Sequence, residues 1–120
     1  MTDFKVVDVP GMLAVKSTIS DDKGNWLPDP DWNREAAESQ FVLAELLAEN
    51  LLLKTSAPKV DRSPDLVILW SDLNETGREF IQAEYDKWMR SIDRTGTSEQ
   101  EKRSKLLKRW ERFRASRTHA

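Results

Sequence analysis

The stretch Leu66-Val67-Ile68-Leu69-Trp70-Ser71-Asp72-Leu73-Asn74-Glu75-Thr76-Gly77-Arg78-Glu79-Phe80 decides the fold class. Its first five residues are apolar and bounded by Pro64-Asp65 and Ser71-Asp72, which predicts a short strand. The run does not alternate with polar residues, so the strand is expected to be buried on both faces. Asn74 then opens a helix, because its side-chain oxygen can accept from the free amide of Gly77. From Glu75 to Asp93, residues Gly77, Ile81, Tyr85, Trp88 and Ile92 share one face, flanked by Phe80 and Met89. A strand feeding an amphipathic helix places the chain in the α+β class.

Upstream, a second helix is predicted from Trp32 to Asn50. Ala37, Gln40, Phe41, Ala44, Leu47, Ala48 and Leu51 fall on one side, with Leu43 on the flank. Glu38, Glu45 and Glu49 fall opposite, as an acidic stripe expected to face solvent or a partner. Leu51-Leu52-Leu53-Lys54 can leave this helix as a short strand, and residues 55–65 form a loop with two prolines. Nearer the N-terminus, residues 4–9 and 12–19 read as two strands of a hairpin, with Pro10-Gly11 as the turn signal. Residues 20–31 are loop, closed by Trp26 and Trp32 as hydrophobic anchors. Downstream, Thr95-Gly96-Thr97 breaks the chain and Ser98-Glu99-Gln100-Glu101 reads as a capping box. The last helix should bury Leu106, Leu107, Trp110 and Phe113, with Lys105, Lys108, Arg109 and Arg112 along its other side.

The 120 residues suit one domain, 38% hydrophobic and 33% charged. No apolar run approaches the ~20 residues of a bilayer span. Met1-Thr2-Asp3-Phe4 shows no signal-peptide pattern, and a cytoplasmic location fits. With no cysteine, disulfides, thiolate metal sites and thiol catalysis are excluded. Net charge is −2 but uneven. Residues 1–93 carry 10 basic and 18 acidic side chains, a balance of −8, and residues 94–120 carry 9 and 3, a balance of +6. Either the basic tail packs on its own acidic body, or it offers a surface to an anionic partner.

Little in the chain suggests catalysis. The one histidine, His119, sits beside the C-terminus, where chain ends are usually mobile, and makes a poor base or metal ligand. No G-x-x-x-x-G-K-[ST] or G-x-G-x-x-G motif indicates a phosphate cradle. Asp21, Asp22, Asn25, Asp29 and Asp31 invite a calcium reading. The EF-hand spacing fails, though, and turn formation and helix capping account for them more simply. No metal or other cofactor is therefore expected. Among five tryptophans, Trp70, Trp88 and Trp110 lie on apolar strands or faces and read as core. Trp26 and Trp32 flank the stiff segment Leu27-Pro28-Asp29-Pro30. Plugging the core is the plainer reading for them, and exposed protein-binding anchors the sharper one.

Residues 37–81 resemble the second half of a winged-helix domain, in which a leucine-rich helix end is followed by strand, wing, strand and a motif like L-T-x-x-G-x-x-F. The corresponding stretches are Leu46-Leu47-Ala48-Glu49-Asn50-Leu51-Leu52, then Val67-Ile68-Leu69-Trp70, then Leu73-Asn74-Glu75-Thr76-Gly77-Arg78-Glu79-Phe80. Asn74 stands where the family has threonine, and strand-like residues 3–19 occupy the place of the two preceding helices. The resemblance implies a basic wing carrying Lys54, Lys59 and Arg62. It also puts three glutamates on the equivalent of the recognition helix, which is adverse to phosphate-lined grooves.

The expected architecture is a small antiparallel sheet, made of the N-terminal hairpin and two wing-like strands, packed with three helices. The parts are hairpin and loop at 1–30, helix, wing-like strands and helix at 31–93, and a basic amphipathic helix at 98–114. The expected function is a non-catalytic protein-binding module of the inhibitor, antitoxin or immunity-type, or assembly class. Its partner would be a protein with a basic surface, met through Glu38, Glu45, Glu49, Trp26 and Trp32. The alternative is a nucleic-acid-associated regulator using Lys54, Lys59, Arg62, Lys105, Lys108, Arg109 and Arg112. The sequence does not fix the oligomeric state.

Overall fold

Val67 to Leu69 form a strand, but its partner is the start of the chain. In the computed structural model, which describes residues 3–16, 18–92 and 97–118, strand β1 (Lys5–Asp8) pairs antiparallel with Val67–Leu69. Only the side chains pointing inward are buried. Ile68, with Leu66 just before it, is sealed in the core, while Val67 and Leu69 are half-buried. The double burial expected from the apolar run is thus corrected: one face is sealed and the other only partly covered, in a sheet of two strands.

The N-terminal hairpin does not form. After β1 comes a short helix, α1 (Val9–Ala14). Asp8 caps it by accepting the Gly11 N–H at 3.0 Å, and Pro10, already set at a helical φ, sits in its first turn. The pair Pro10-Gly11 therefore starts a helix here and does not turn a hairpin. Strands β2 (Thr18–Ser20) and β3 (Trp26–Pro28) then make their own two-stranded sheet, in register Thr18↔Pro28, Ile19↔Leu27 and Ser20↔Trp26.

Helix α2 (Pro30–Glu49) is the hub, touching β1, α1 and the last helix. Its burial is wider than one stripe: Val42, Leu43, Ala44, Leu46 and Leu47 are all sealed. Gln40 is buried too, and its side-chain oxygen accepts the Asp8 N–H at 3.0 Å, tying β1 to the helix. The helix ends in a Schellman motif. The Leu52 N–H reaches the Leu47 carbonyl at 2.9 Å and the Leu51 N–H the Ala48 carbonyl at 3.3 Å, with Leu51 at φ 58°. Leu53 then forms a single bridge with Leu73, so the strand expected at 51–54 is one residue long and does not pair with Val67–Leu69.

The fourth strand, β4 (Val67–Leu69), leads through a 3-10 turn, Trp70–Asp72, into α3 (Glu75–Ile92). Asn74 caps α3 by accepting the Gly77 N–H at 2.8 Å. The last helix, α4 (Glu99–Thr118), begins where the Ser98 hydroxyl accepts the Glu101 N–H at 3.1 Å and packs across α2 and α3. It buries Leu106 and Trp110, with Phe113 packed on the cluster's edge. Leu107 is 41% exposed, against expectation, and buried Lys102 fills the core-side position one turn before Leu106. The break at Thr95-Gly96 and His119 lie outside the described residues. The architecture is α+β, with four helices and two small antiparallel sheets among the described residues. No described helix is long and apolar enough to cross a membrane.

Candidate functional site

The hairpin β2–β3 is built by its turn. Asp21 N–H donates to the Asn25 carbonyl at 2.9 Å, and Gly24 N–H donates to the Asp21 carbonyl at 3.1 Å. Gly24 takes φ 80°, as a three-residue hairpin loop with a glycine bulge requires. The Asp21 carboxylate accepts from the N–H groups of Lys23 (2.9 Å) and Asn25 (2.8 Å), closing the turn from within. The Asn25 N–H, with help from Lys23, holds that carboxyl below its ordinary pKa. These aspartates thus do turn chemistry, and among the described residues no group of three acidic or histidine side chains comes together to hold a metal ion.

The turn also sets which side chains share a face. Opposed residues do, so Ile19 and Leu27 lie on one side of the hairpin and Trp26 and Pro28 on the other. Neither side is covered: Trp26 is 71% exposed, Ile19 55% and Leu27 47%. Hydrogen-bonded and non-bonded pairs alternate along an antiparallel ladder. With Asp21 and Asn25 bonded, Ile19 and Leu27 are the next bonded pair, and Thr18, Ser20, Trp26 and Pro28 aim their backbone groups outward. Pro28 has no N–H to offer. The outer edge of β2 is therefore the open one, with the N–H and carbonyl groups of Thr18 and Ser20 pointing away from β3 and no strand paired there among the described residues.

At the base of this arm, Asn33 of α2 donates to the carbonyls of Met12 (2.7 Å) and Val15 (2.8 Å), fixing the end of α1 against α2. Between them runs a groove of about 600 Å³, floored by Leu13, Ala37, Phe41 and Pro64, with Arg34 and Arg62 on its rim. Leu13 and Val15 at the end of α1 and Trp32 (41%) in the first turn of α2 are exposed.

The other expected site residues divide. Glu38 accepts from the Lys102 ammonium at 3.1 Å, and the same ammonium donates to the Glu35 carbonyl at 3.2 Å. Glu45 holds two guanidinium groups, Arg62 and Arg103, each at 2.9 Å, and Arg62 also pairs with Glu99. Burial pushes the Glu45 carboxyl up, but the Arg103 and Arg62 hydrogen bonds outweigh it and hold the pKa below the ordinary value. The free acidic stripe is thus corrected: Glu38 and Glu45 face α4 and the loop, and only Glu49 is exposed. The basic tail does pack on its own acidic body.

Of the expected basic residues, Arg62 is bound as above and lies 5.6 Å from the centre of the Phe41 ring. Arg109 pairs with Glu84 at 3.2 Å, and Lys105 donates to the Ser91 carbonyl at 2.9 Å. Lys54, Lys59, Lys108 and Arg112 are exposed. Trp26 and Trp32 are exposed, as are Leu13, Ile19 and Leu27, which the sequence reading left out. The spacing Asp21-Asp22-Lys23-Gly24-Asn25 was the available signal for that hairpin. No family model, no curated protein and no solved structure matches the chain.

Proposed function

We propose that this protein is a non-catalytic protein-binding module, acting in the cytoplasm, whose docking surface is the β2–β3 arm and the groove at its base. The observation that carries this reading is the uncovered arm: Trp26, Ile19 and Leu27 are bare on both faces of a two-stranded sheet. An isolated hairpin is marginal in water, and large exposed tryptophans are the residues that most often anchor interfaces. A partner would clasp Trp26 and Ile19 and add backbone hydrogen bonds along the β2 edge. The acidic stripe drops out of the docking surface, because two of its three carboxylates already serve α4 and the loop. Nucleic-acid binding is the weaker reading, since Arg62, Lys105 and Arg109 are held by internal partners.

The test is affinity capture from native lysate, with and without nuclease, comparing wild type with an Ile19→Ser, Trp26→Ser variant. A protein held by wild type, lost from the variant and indifferent to nuclease supports the reading, provided both chains melt alike. Equal capture by the variant overturns it. Capture that vanishes with nuclease, or with Lys108 and Arg112 reversed, moves the function to nucleic acid.

A further inference from the structure

Apart from the arm and groove, a recess of about 360 Å³ opens between the start of β1 and α3, lined by Phe4, Trp70, Ile81, Gln82, Tyr85 and Asp86. Three of its six walls are aromatic. Phe4 stacks on Trp70 with ring centres 4.9 Å apart and planes 27° from parallel, and the Trp70 N–H donates to the Phe4 carbonyl at 2.9 Å. Phe4 remains half exposed, so its outer face is open to a visitor. The Tyr85 hydroxyl is engaged by Gln40, which leaves its ring as wall.

The charges nearby are mostly negative. Asp86 is exposed and makes no ion pair among the described residues, not even with Lys87 or Arg90 on its own helix. Asp3 accepts from the Ser71 N–H at 3.1 Å and from its hydroxyl, and Asp72 accepts the Leu69 N–H at 2.8 Å. Against these three carboxylates stand Lys5, which follows Phe4 and pairs with Asp8 at 4.0 Å, and Arg78, whose guanidinium lies 5.9 Å from the Trp70 ring centre while its Nε donates to the Trp70 carbonyl. This aromatic cluster therefore already carries one cation, on Trp70, and the Phe4 and Tyr85 rings carry none from the described residues.

We propose that the recess binds an alkylammonium group, of the kind at the end of a lysine side chain, with N-methylated forms preferred. Aromatic faces attract a cation electrostatically, and more strongly once it sheds water. Methyl groups favour that, because they lower the cost of desolvation and pack on the rings. A primary ammonium brings three N–H donors that must each find an acceptor when it leaves water, whereas a trimethylated one brings none. Anions are disfavoured by Asp3, Asp72 and Asp86. The inference is independent of the arm.

The experiment is an NMR titration of the full chain at constant ionic strength, following the Trp70 indole and the Phe4 and Tyr85 rings. Two charged probes, choline and N-acetyl-Nε-trimethyllysine amide, separate a small-molecule source from a protein side chain. N-acetyl-lysine amide tests the value of methylation, and 3,3-dimethyl-1-butanol matches choline in shape without its charge. Choline is expected to bind at least about fivefold more tightly than its neutral match, and trimethyllysine more tightly than lysine. Asp86→Asn should weaken the charged probes severalfold and leave the neutral one unchanged, while Phe4→Ala, which removes a wall, should weaken the charged probes severalfold and the neutral one less. Equal binding of choline and its neutral match would mean an ordinary apolar dent. That result, the absence of any shift at the three rings, or unchanged affinity in Phe4→Ala each overturns the proposal.

Discussion

At the scale of single residues, three positions are decided by what stands within a few ångströms of them. Gly77 lies where α3 begins against the end of α2: a Cβ placed there would meet the Leu52 carbonyl oxygen at 2.6 Å. That oxygen accepts the Asn74 N–H at 3.0 Å, so it cannot retreat without loosening the cap of α3. Gly77→Ala should therefore destabilise the fold by about 1–3 kcal/mol, although alanine is the better helix former. A urea midpoint equal to wild type would refute this. The two buried tryptophans of the helical core make a second comparison. Trp88 donates its indole N–H to the Lys102 carbonyl at 3.0 Å, whereas the buried Trp110 indole N–H has no hydrogen-bond partner among the described residues. Trp110 meets Phe80 edge-on at 5.2 Å, a contact phenylalanine can keep. Trp88→Phe loses volume and a hydrogen bond, but Trp110→Phe loses volume while relieving an unpaired donor. Thermal unfolding should show Trp88→Phe as the costlier change by about 1 kcal/mol or more.

At the scale of elements, the helices were legible and the N-terminal quarter was not, for reasons visible in particular residues. Asn74 and Ser98 announce α3 and α4, and each accepts the amide its position predicts. The Pro10-Gly11 pair has two meanings, turn or helix start, and Asp8 two residues before it selects the second by capping Gly11. In α2 the glutamate stripe hid its own correction. Val42 lies on the same face as Glu38, Glu45 and Glu49 and is fully buried, so something had to cover that face. Periodicity finds an apolar side, but it cannot reveal that a second helix will later cover the charged one through ion pairs. Glu45→Lys, setting a cation against Arg62 and Arg103, should cost about 1–3 kcal/mol, while Glu49→Lys at the exposed end should stay within about 0.5 kcal/mol. Equal melting temperatures for the two variants would show that the stripe is solvent-facing after all. The end of α2 offers a change in the opposite direction. Leu51 holds the left-handed conformation that favours glycine, and it is largely exposed. Leu51→Gly should relieve backbone strain and leave a net gain of about 0.5–1 kcal/mol after glycine's greater unfolded-state entropy. Loss of stability on this substitution would mean that the exposed Leu51 side chain has a packing role.

At the scale of the whole molecule, an arm projects from a body closed by charge. The radius of gyration is 15.8 Å and the longest axis 57 Å, against about 13.6 Å for a compact chain of this length. Closure centres on Glu45, where α2, the 54–66 loop and α4 meet through Arg62, Arg103 and Glu99. Because the folded-state pKa of Glu45 is depressed, the stability it contributes is present above the unfolded-state value, about 4.3. It is lost as pH falls through the folded value, when the neutral carboxyl releases both guanidinium groups. Protonation should thus loosen α4 from α2 before it disturbs β1–β4, whose contacts are backbone hydrogen bonds and buried Val7 and Ile68. Glu45→Gln keeps an acceptor without the titration. Its melting temperature should start below wild type near neutral pH and converge with it as pH falls through and below the ordinary glutamate range. Amide exchange should show α4 losing protection first in acid. Parallel pH profiles for the two chains would remove Glu45 as the acid-sensitive closure, and early loss of protection in β1 would place the weak point in the sheet.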